Sequence, residues 1–369
     1  MVATEDLAKL SAFRPQGTLT KSPIEHDYVL SQLETTASRE LDEIVVGGEV
    51  PELCPETAFT EQMGQQPSES YDQVAMNELV ERNERHVACL DGLFRDLVAS
   101  SATDTEPLET ICRDSLETAA RDLDLFACLG ASPYSSNYPH RHSLHVATVS
   151  VAIGIKLGLG EQALLDLARG CLIHDVGMLT IPKETFSAKR RLTKREIEQV
   201  VDHPIRTLDA LESHLDAIPL GAQIVAIQMH ERCNGSGYPR GRTTAQLHQL
   251  GKIAAVADAF VALVATRPHR EGIQPYYVMT KLLQDVKAGL FDPDAVRGLL
   301  RAVSVFPIGS FIETNDGNMG RVIRSNGNAY DRPVVELWTP EKLAAKPSVV
   351  NLLQEQDLRV VRILPKLEV

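Results

Sequence analysis

Apolar residues recur at helical spacing from position 72 to position 300, then give way to short runs bounded by turn residues. Val74, Leu79, Val87, Leu90, Phe94 and Leu97 predict a helix over residues 72–99, and a second is expected over 106–129 after the polar stretch 100–105. Both are acidic and amphipathic, which suits a helical hairpin that covers a core or joins two copies of the chain. Val146, Val149 and Ile153 share one face of a helix over 142–157, which Gly158 and Gly160 stop, and the next helix runs over Glu161–Ile173. Thr193 and Glu196 match a capping box that opens a helix carrying Ile197, Val200 and Val201. Further helices are expected over 222–231, 250–266 and 276–288.

After Pro307 the pattern predicts strands over 311–314, 320–325 and 333–338, with 359–364 as a further one. The turn signals Asn315-Asp316-Gly317 and Asn326-Gly327-Asn328 separate them. Residues 1–70 mix Pro, Ser, Thr, Glu and Gln without sustained periodicity and read as linker-like, with short helical pieces over 28–46. The expected organisation is therefore mainly α. A linker-like region (1–70) and a helical hairpin (71–130) precede a compact helical bundle (131–304), and a small β-rich segment (305–369) closes the chain.

Composition narrows the function classes. The 369 residues are 43% apolar and 24% charged, an ordinary globular balance. A net charge of −13 argues against duplex nucleic acid as a partner, although a small anion remains compatible with locally concentrated positive charge. The six cysteines include no CxxC pair, which points to a reducing compartment. The first thirty residues have no apolar centre, and the apolar runs 146–159 and 253–264 are short and interrupted by Lys156 and Asp258. A cytoplasmic protein without membrane insertion is expected.

The candidate chemistry lies in polar residues that fall inside apolar patterns. His174 and Asp175 stand side by side in the largely apolar stretch 164–181, where an unpaired charge is costly to bury. His142, His203, His230 and Asp258 lie up- and downstream, in or beside helical patterns. Neutral imidazoles with carboxylates able to bridge are what two divalent cations need around an activated water. Asp258 is the sharpest case, because Ile253-Ala254-Ala255-Val256-Ala257 precedes it and Phe260-Val261-Ala262-Leu263 follows. A carboxylate there must be paired, protonated or bound to a cation. His140, His145 and His214 lack such a context and read as ordinary surface or core histidines.

Pro204 directly after His203 interrupts its helix and can turn the imidazole inward. His230 begins a run through Gly235, Gly237, Tyr238 and Pro239. The glycines permit close backbone approach, while the last two residues give a stiff turn and a ring for stacking. Arg267 and Arg270, on either side of Pro268, can clamp phosphate oxygens.

Together these residues resemble the HD-GYP family of bacterial cyclic di-GMP phosphodiesterases. The elements that carry the resemblance are Tyr138-Pro139-His140-Arg141-His142-Ser143, His174-Asp175-Val176-Gly177, Ile181-Pro182 and His203-Pro204. The loop 230–239, Asp258 and Arg267-Pro268-His269-Arg270 complete it. It covers residues 110–300, and the strand-rich tail also looks like a segment that follows such domains. The resemblance implies an all-α HD-domain bundle with two divalent metal ions, iron or manganese. It implies attack of a metal-bound hydroxide on a phosphodiester of cyclic di-GMP, giving the linear dinucleotide, GMP or both. Position by position, it places His142, His174, Asp175 and Asp258 on a first ion, with His174 and Asp175 the catalytic pair. Asp175 would bridge to a second ion held also by His203 and His230. Arg267 and Arg270 would meet phosphate, and Gly237, Tyr238 and Pro239 would line the guanine side.

The chain departs from that pattern at three places. Met178 stands where the family carries a lysine, and a thioether can neither bind phosphate nor protonate a leaving group. Met229 replaces the first histidine of the family's HHE. Tyr138 stands where some members have a glutamate for a third ion, so a two-ion centre is expected. Met178 and Met229 define the alternative reading, a weak or inactive effector that binds cyclic di-GMP or a signalling protein partner.

Overall fold

The computed structural model describes residues 30–47, 53, 73–99, 103–131, 137–267, 270–339 and 347–364. The rest of the region expected to be linker-like lies outside these, as do Pro268 and His269. Helices α1 (Thr36–Gly47), α2 (Gln73–Val98), α3 (Glu106–Arg121) and α4 (Leu123–Gly130) precede a central helix, α5 (His140–Leu157). Then come α6 (Glu161–Ile173), a 3-10 turn (Val176–Thr180), one helical turn (Lys183–Phe186) and α7 (Lys194–Ala210). Helices α8 (Leu220–Gln228), α9 (Gln249–Val264), α10 (Pro275–Lys287) and α11 (Pro293–Val303) complete the bundle.

Helix α5 is buried from His140 to Ile155, which is possible because its polar positions are small or find partners among its neighbours. It packs against α4, α6, α9 and α11, and α6 packs in turn on α8. Helix α7 opens on the capping box read from the sequence: Thr193 Oγ1 accepts from Glu196 N at 3.3 Å, and Glu196 Oε2 accepts from Thr193 N at 2.8 Å.

Three elements differ from the sequence expectation. The helix expected over 106–129 breaks at Asp122, which turns extended (φ −157°, ψ 95°) and caps α4 by accepting from Leu125 N at 3.0 Å. The break has a tertiary cause. Arg324 pairs with Asp122 at 2.7 Å, and Asp124 accepts from the backbone and hydroxyl of Ser325 at 2.9 and 2.6 Å. Helix α11 was not expected, although Asp292 caps it and Pro293 sits in its first turn, both ordinary start signals. Strand β4 was also missed.

The tail is a five-stranded antiparallel sheet in the order β4-β3-β2-β1-β5. Its strands are β1 (Phe311–Thr314), β2 (Met319–Arg324), β3 (Val334–Trp338), β4 (Ser348–Asn351) and β5 (Val360–Leu364). Ile312, Val322, Val335 and Leu337 on its inner face join the main hydrophobic core.

Within the region read as linker-like, α1 seats Ala37 and Leu41 against Leu208 of α7 and Ile224 and Ile227 of α8. In α2, Val87, Leu90, Phe94 and Leu97 are buried in the main core, whereas Val74 at the start of the same stripe is exposed. Among the described residues, no helix is long and apolar enough to cross a membrane.

Candidate metal centre

Helix α6 ends in a run of buried apolar residues, and the two residues that follow it, His174 and Asp175, are buried too, at 0% and 2% exposure. The last carbonyls of a helix lack intrahelical donors. One of them, Cys171 O, lies 2.7 Å from His174 Nδ1 and fixes the ring with its Nε2 lone pair facing inward. The turn after Asp175 presses on α7. Thr207 Oγ1 donates to His174 O at 2.7 Å and accepts from Gly177 N at 2.9 Å. A Cβ at position 177 would sit 2.3 Å from His203 O, so only glycine permits this approach. The sequence reading missed Thr207, although it lies four residues after His203 on the same helical face.

His203 owes its orientation to the proline beside it. Pro204 lies inside α7 and has no N–H, so the carbonyl of Val200, four residues back, loses its helical donor. His203 Nδ1 fills that vacancy at 2.5 Å, and Nε2 is left facing the centre. It lies 3.3 Å from Asp175 Oδ1 and 3.0 Å from His230 Nε2.

Asp258, in the middle of α9, meets His142 Nε2 at 3.1 Å through one oxygen and His230 Nδ1 at 3.3 Å through the other. With Nδ1 of His230 on a carboxylate and Nδ1 of His203 on a carbonyl, both Nε2 atoms turn lone pairs toward each other. Only a shared proton or a cation relieves that arrangement. Among the described residues, His174 Nε2 lies 3.3 Å from Asp175 Oδ1 without a well-formed hydrogen bond, and Asp175 Oδ2 has no hydrogen-bond partner. These orphaned donors, with two carboxylates buried among imidazoles, fit a divalent ion of the imidazole- and carboxylate-binding kind. Two sets have ligand atoms within 4.8 Å of one another: His142 with His174 and Asp258, and His174 with Asp175 and His230. His174 belongs to both.

The electrostatics agree. Burial pushes the Asp175 carboxyl up, but the imidazoles of His174, His203 and His142 outweigh it and hold it far below the usual range. Asp258 is likewise held low against burial, by His230 and His142. Burial takes His203 down to about 3, so its ring is neutral at physiological pH and free to ligate.

Around the centre, Tyr238 stacks on His230 with ring centroids 4.9 Å apart and planes 13° from parallel. Gly237 allows this, because a Cβ there would lie 2.3 Å from Arg232 N. Pro239 is buried and follows at once, its carbonyl accepting from Ser31 N. Glu231 is buried and accepts from Arg240 N at 2.7 Å and Arg242 N at 3.0 Å, which shapes the loop; burial raises its carboxyl to about 7. Arg267 lies over the Tyr138 ring at 4.8 Å, and that ring is 5.7 Å from His142.

Arg270 lies at the end of α9. Its guanidinium donates to Leu263 O at 2.9 Å, to Glu271 O at 3.2 Å and to Ala262 O, capping the last turn of α9. Those contacts commit part of the guanidinium to the helix end. Met229 is fully buried in the main core, where it packs as an apolar residue. Met178 is buried in the turn after Asp175, and Lys183 is exposed.

The bundle gathers four histidines and two aspartates from three helices and the ends of two others. Residues 129–295 match the family model described as HD domain. The resemblance read from the motifs is borne out at that level. A cyclic di-GMP phosphodiesterase of Pseudomonas aeruginosa is 26% identical over 272 residues, which cover 73% of this chain and 64% of that protein. A cyclic di-GMP phosphodiesterase of Thermotoga maritima is 31% identical over 171 residues, 46% of each. The chain thus spans from about half to just under two thirds of these relatives' length. An HDG"Y"P protein from Bdellovibrio bacteriovorus shares the fold, with a TM-score of 0.52 and 16% identity over 66% of this chain and 76% of that one.

Proposed function

We propose that this protein hydrolyses cyclic di-GMP, to the linear dinucleotide, GMP or both, in a metal-dependent reaction. The observation that carries the reading is the convergence of His142, His174, Asp175, His203, His230 and Asp258, with two orphaned ligand atoms, inside an HD domain. Relatives named cyclic di-GMP phosphodiesterases support the substrate. Two ions, iron or manganese, are proposed. His142, His174, Asp175 and Asp258 would hold one, and Asp175, His203 and His230 the other. Bound divalent ions supply Lewis acidity toward a phosphoryl oxygen and lower the pKa of water.

The chain's own groups do the rest. The paired Nδ1 contacts keep the histidine rings fixed, so no reorientation precedes reaction. Arg267, steadied by its stack on Tyr138, donates to a phosphate oxygen. Tyr238 offers a ring face to a guanine base beside Gly237 and Pro239. Met178 offers no proton and no charge, so leaving-group protonation falls to solvent, and turnover is attenuated relative to a site with a cation there.

Anaerobic incubation of purified protein with cyclic di-GMP and ferrous or manganous ion, followed by nucleotide chromatography, tests this. Product from the wild type should fall by at least about 10³-fold in Asp175→Ala. Intact substrate with metal bound, and tight binding of the dinucleotide, would replace the reading with that of a non-hydrolysing effector.

A further inference from the structure

Residues 30–47 run across the loop 230–243 and reach α7 beside the metal centre. Ser31 N donates to Pro239 O at 2.9 Å, and the Ser31 hydroxyl donates to Asp202 Oδ1 at 2.6 Å. Asp202 immediately precedes His203. Further along, Asp42 of α1 accepts from two arginines of the loop, Arg240 Nε at 2.9 Å and Arg242 Nη2 at 3.0 Å. Arg240 also donates to Leu33 O at 3.0 Å and Ser38 Oγ at 3.3 Å. The side chains of Asp42 and Arg240 are only 22% and 12% exposed, so these charge-assisted bonds are weakly screened.

The same two arginines give their backbone N–H groups to Glu231, next to His230. The loop therefore has an inner anchor, Glu231, and an outer anchor, Asp42. Between the anchors the chain carries Tyr238, stacked on His230. Seating of α1 does not require the ion pairs, because Ala37 and Leu41 already bury it on α7 and α8. The charge of Asp42 acts on the loop.

We infer that Asp42 is a positioning residue for the phosphodiesterase reaction: through Arg240 and Arg242 it sets the Tyr238 ring against which the dinucleotide lies. The inference rests on the function proposed above and adds a residue far outside the HD motifs to the substrate side of the site.

The test compares full-length wild type, Asp42→Ala and Asp42→Glu, each loaded with manganese. Asp42→Ala should raise KM for cyclic di-GMP about tenfold, the scale of one charge-assisted bond, with kcat within about threefold. Asp42→Glu should restore KM. Amide hydrogen exchange of residues 231–242, followed by mass spectrometry, should quicken in Asp42→Ala while that of α8 is unchanged. Unchanged KM, or a raised KM that Asp42→Glu does not rescue, overturns the inference, as does unchanged loop exchange. If the wild type turns over no cyclic di-GMP, the proposed function fails separately, and calorimetric binding of cyclic di-GMP takes the place of KM. A Kd weakened about tenfold together with faster loop exchange then supports the role of Asp42, and an unchanged Kd rejects it.

Discussion

Replacing Pro204 with alanine gives α7 back an N–H that competes with His203 for the carbonyl of Val200. The imidazole then loses the contact that fixes its tautomer and aim. Metal affinity, measured by competition with a fluorescent chelator, should fall about tenfold in Pro204→Ala, while the thermal midpoint holds or rises. His174, Asp175 and Asp258 were legible in the sequence because they place polar groups in apolar stretches, which is expensive without a partner, while His142, His203 and His230 stood out by their motifs. Their pairing was not legible. That Asp258 splits its two oxygens between His142 and His230 is a property of how α5, α8 and α9 cross. The carbonyl contacts of Arg270 were not legible either, because an arginine near a helix C-terminus serves carbonyls as readily as phosphate, and sequence does not show which is nearer.

Between elements, one half-buried charge pair stands out. Arg169 of α6 forms a two-point contact with Glu109 of α3, at 2.6 and 2.5 Å, and also reaches Asp166 at 3.0 Å. It braces the helix that ends in His174 and Asp175. Glu109→Gln leaves Asp166 as the one counter-charge of Arg169 among the described residues and should cost about 1 kcal/mol in denaturant unfolding. The hydrogen bonds from Arg169 outweigh burial and hold the Glu109 carboxyl below its ordinary value of 4.5. Its contribution to stability is therefore complete above that value and is lost as pH falls through the lower, folded one. The gap between wild type and variant should narrow as unfolding is followed below pH 4.5. Helices α5, α6 and α7 were readable from periodicity, caps and glycine stops. The break at Asp122 was not, since its cause is Arg324, 202 residues away. Strand β4 is short and has no repeating pattern of its own, and it is defined by pairing with β3.

For the molecule as a whole, the donors come from α5, α7 and α9 and from the ends of α6 and α8, so an ion bound there ties five helices together. Metal that binds the folded state alone stabilises it by about 2.7 kcal/mol at a hundredfold excess over Kd. Exhaustive chelation should lower the melting midpoint by several degrees, and manganese should restore it. In Asp175→Ala that response should be largely lost. The span of these donors along the chain has a consequence for biosynthesis. His142 and Asp258 are 116 residues apart, and Asp258 is the last of the six to leave the ribosome. No nascent chain that stops short of Asp258 carries the full set. A full set of ligands for an ion would therefore exist only once α9 has been made, whichever ion the site takes.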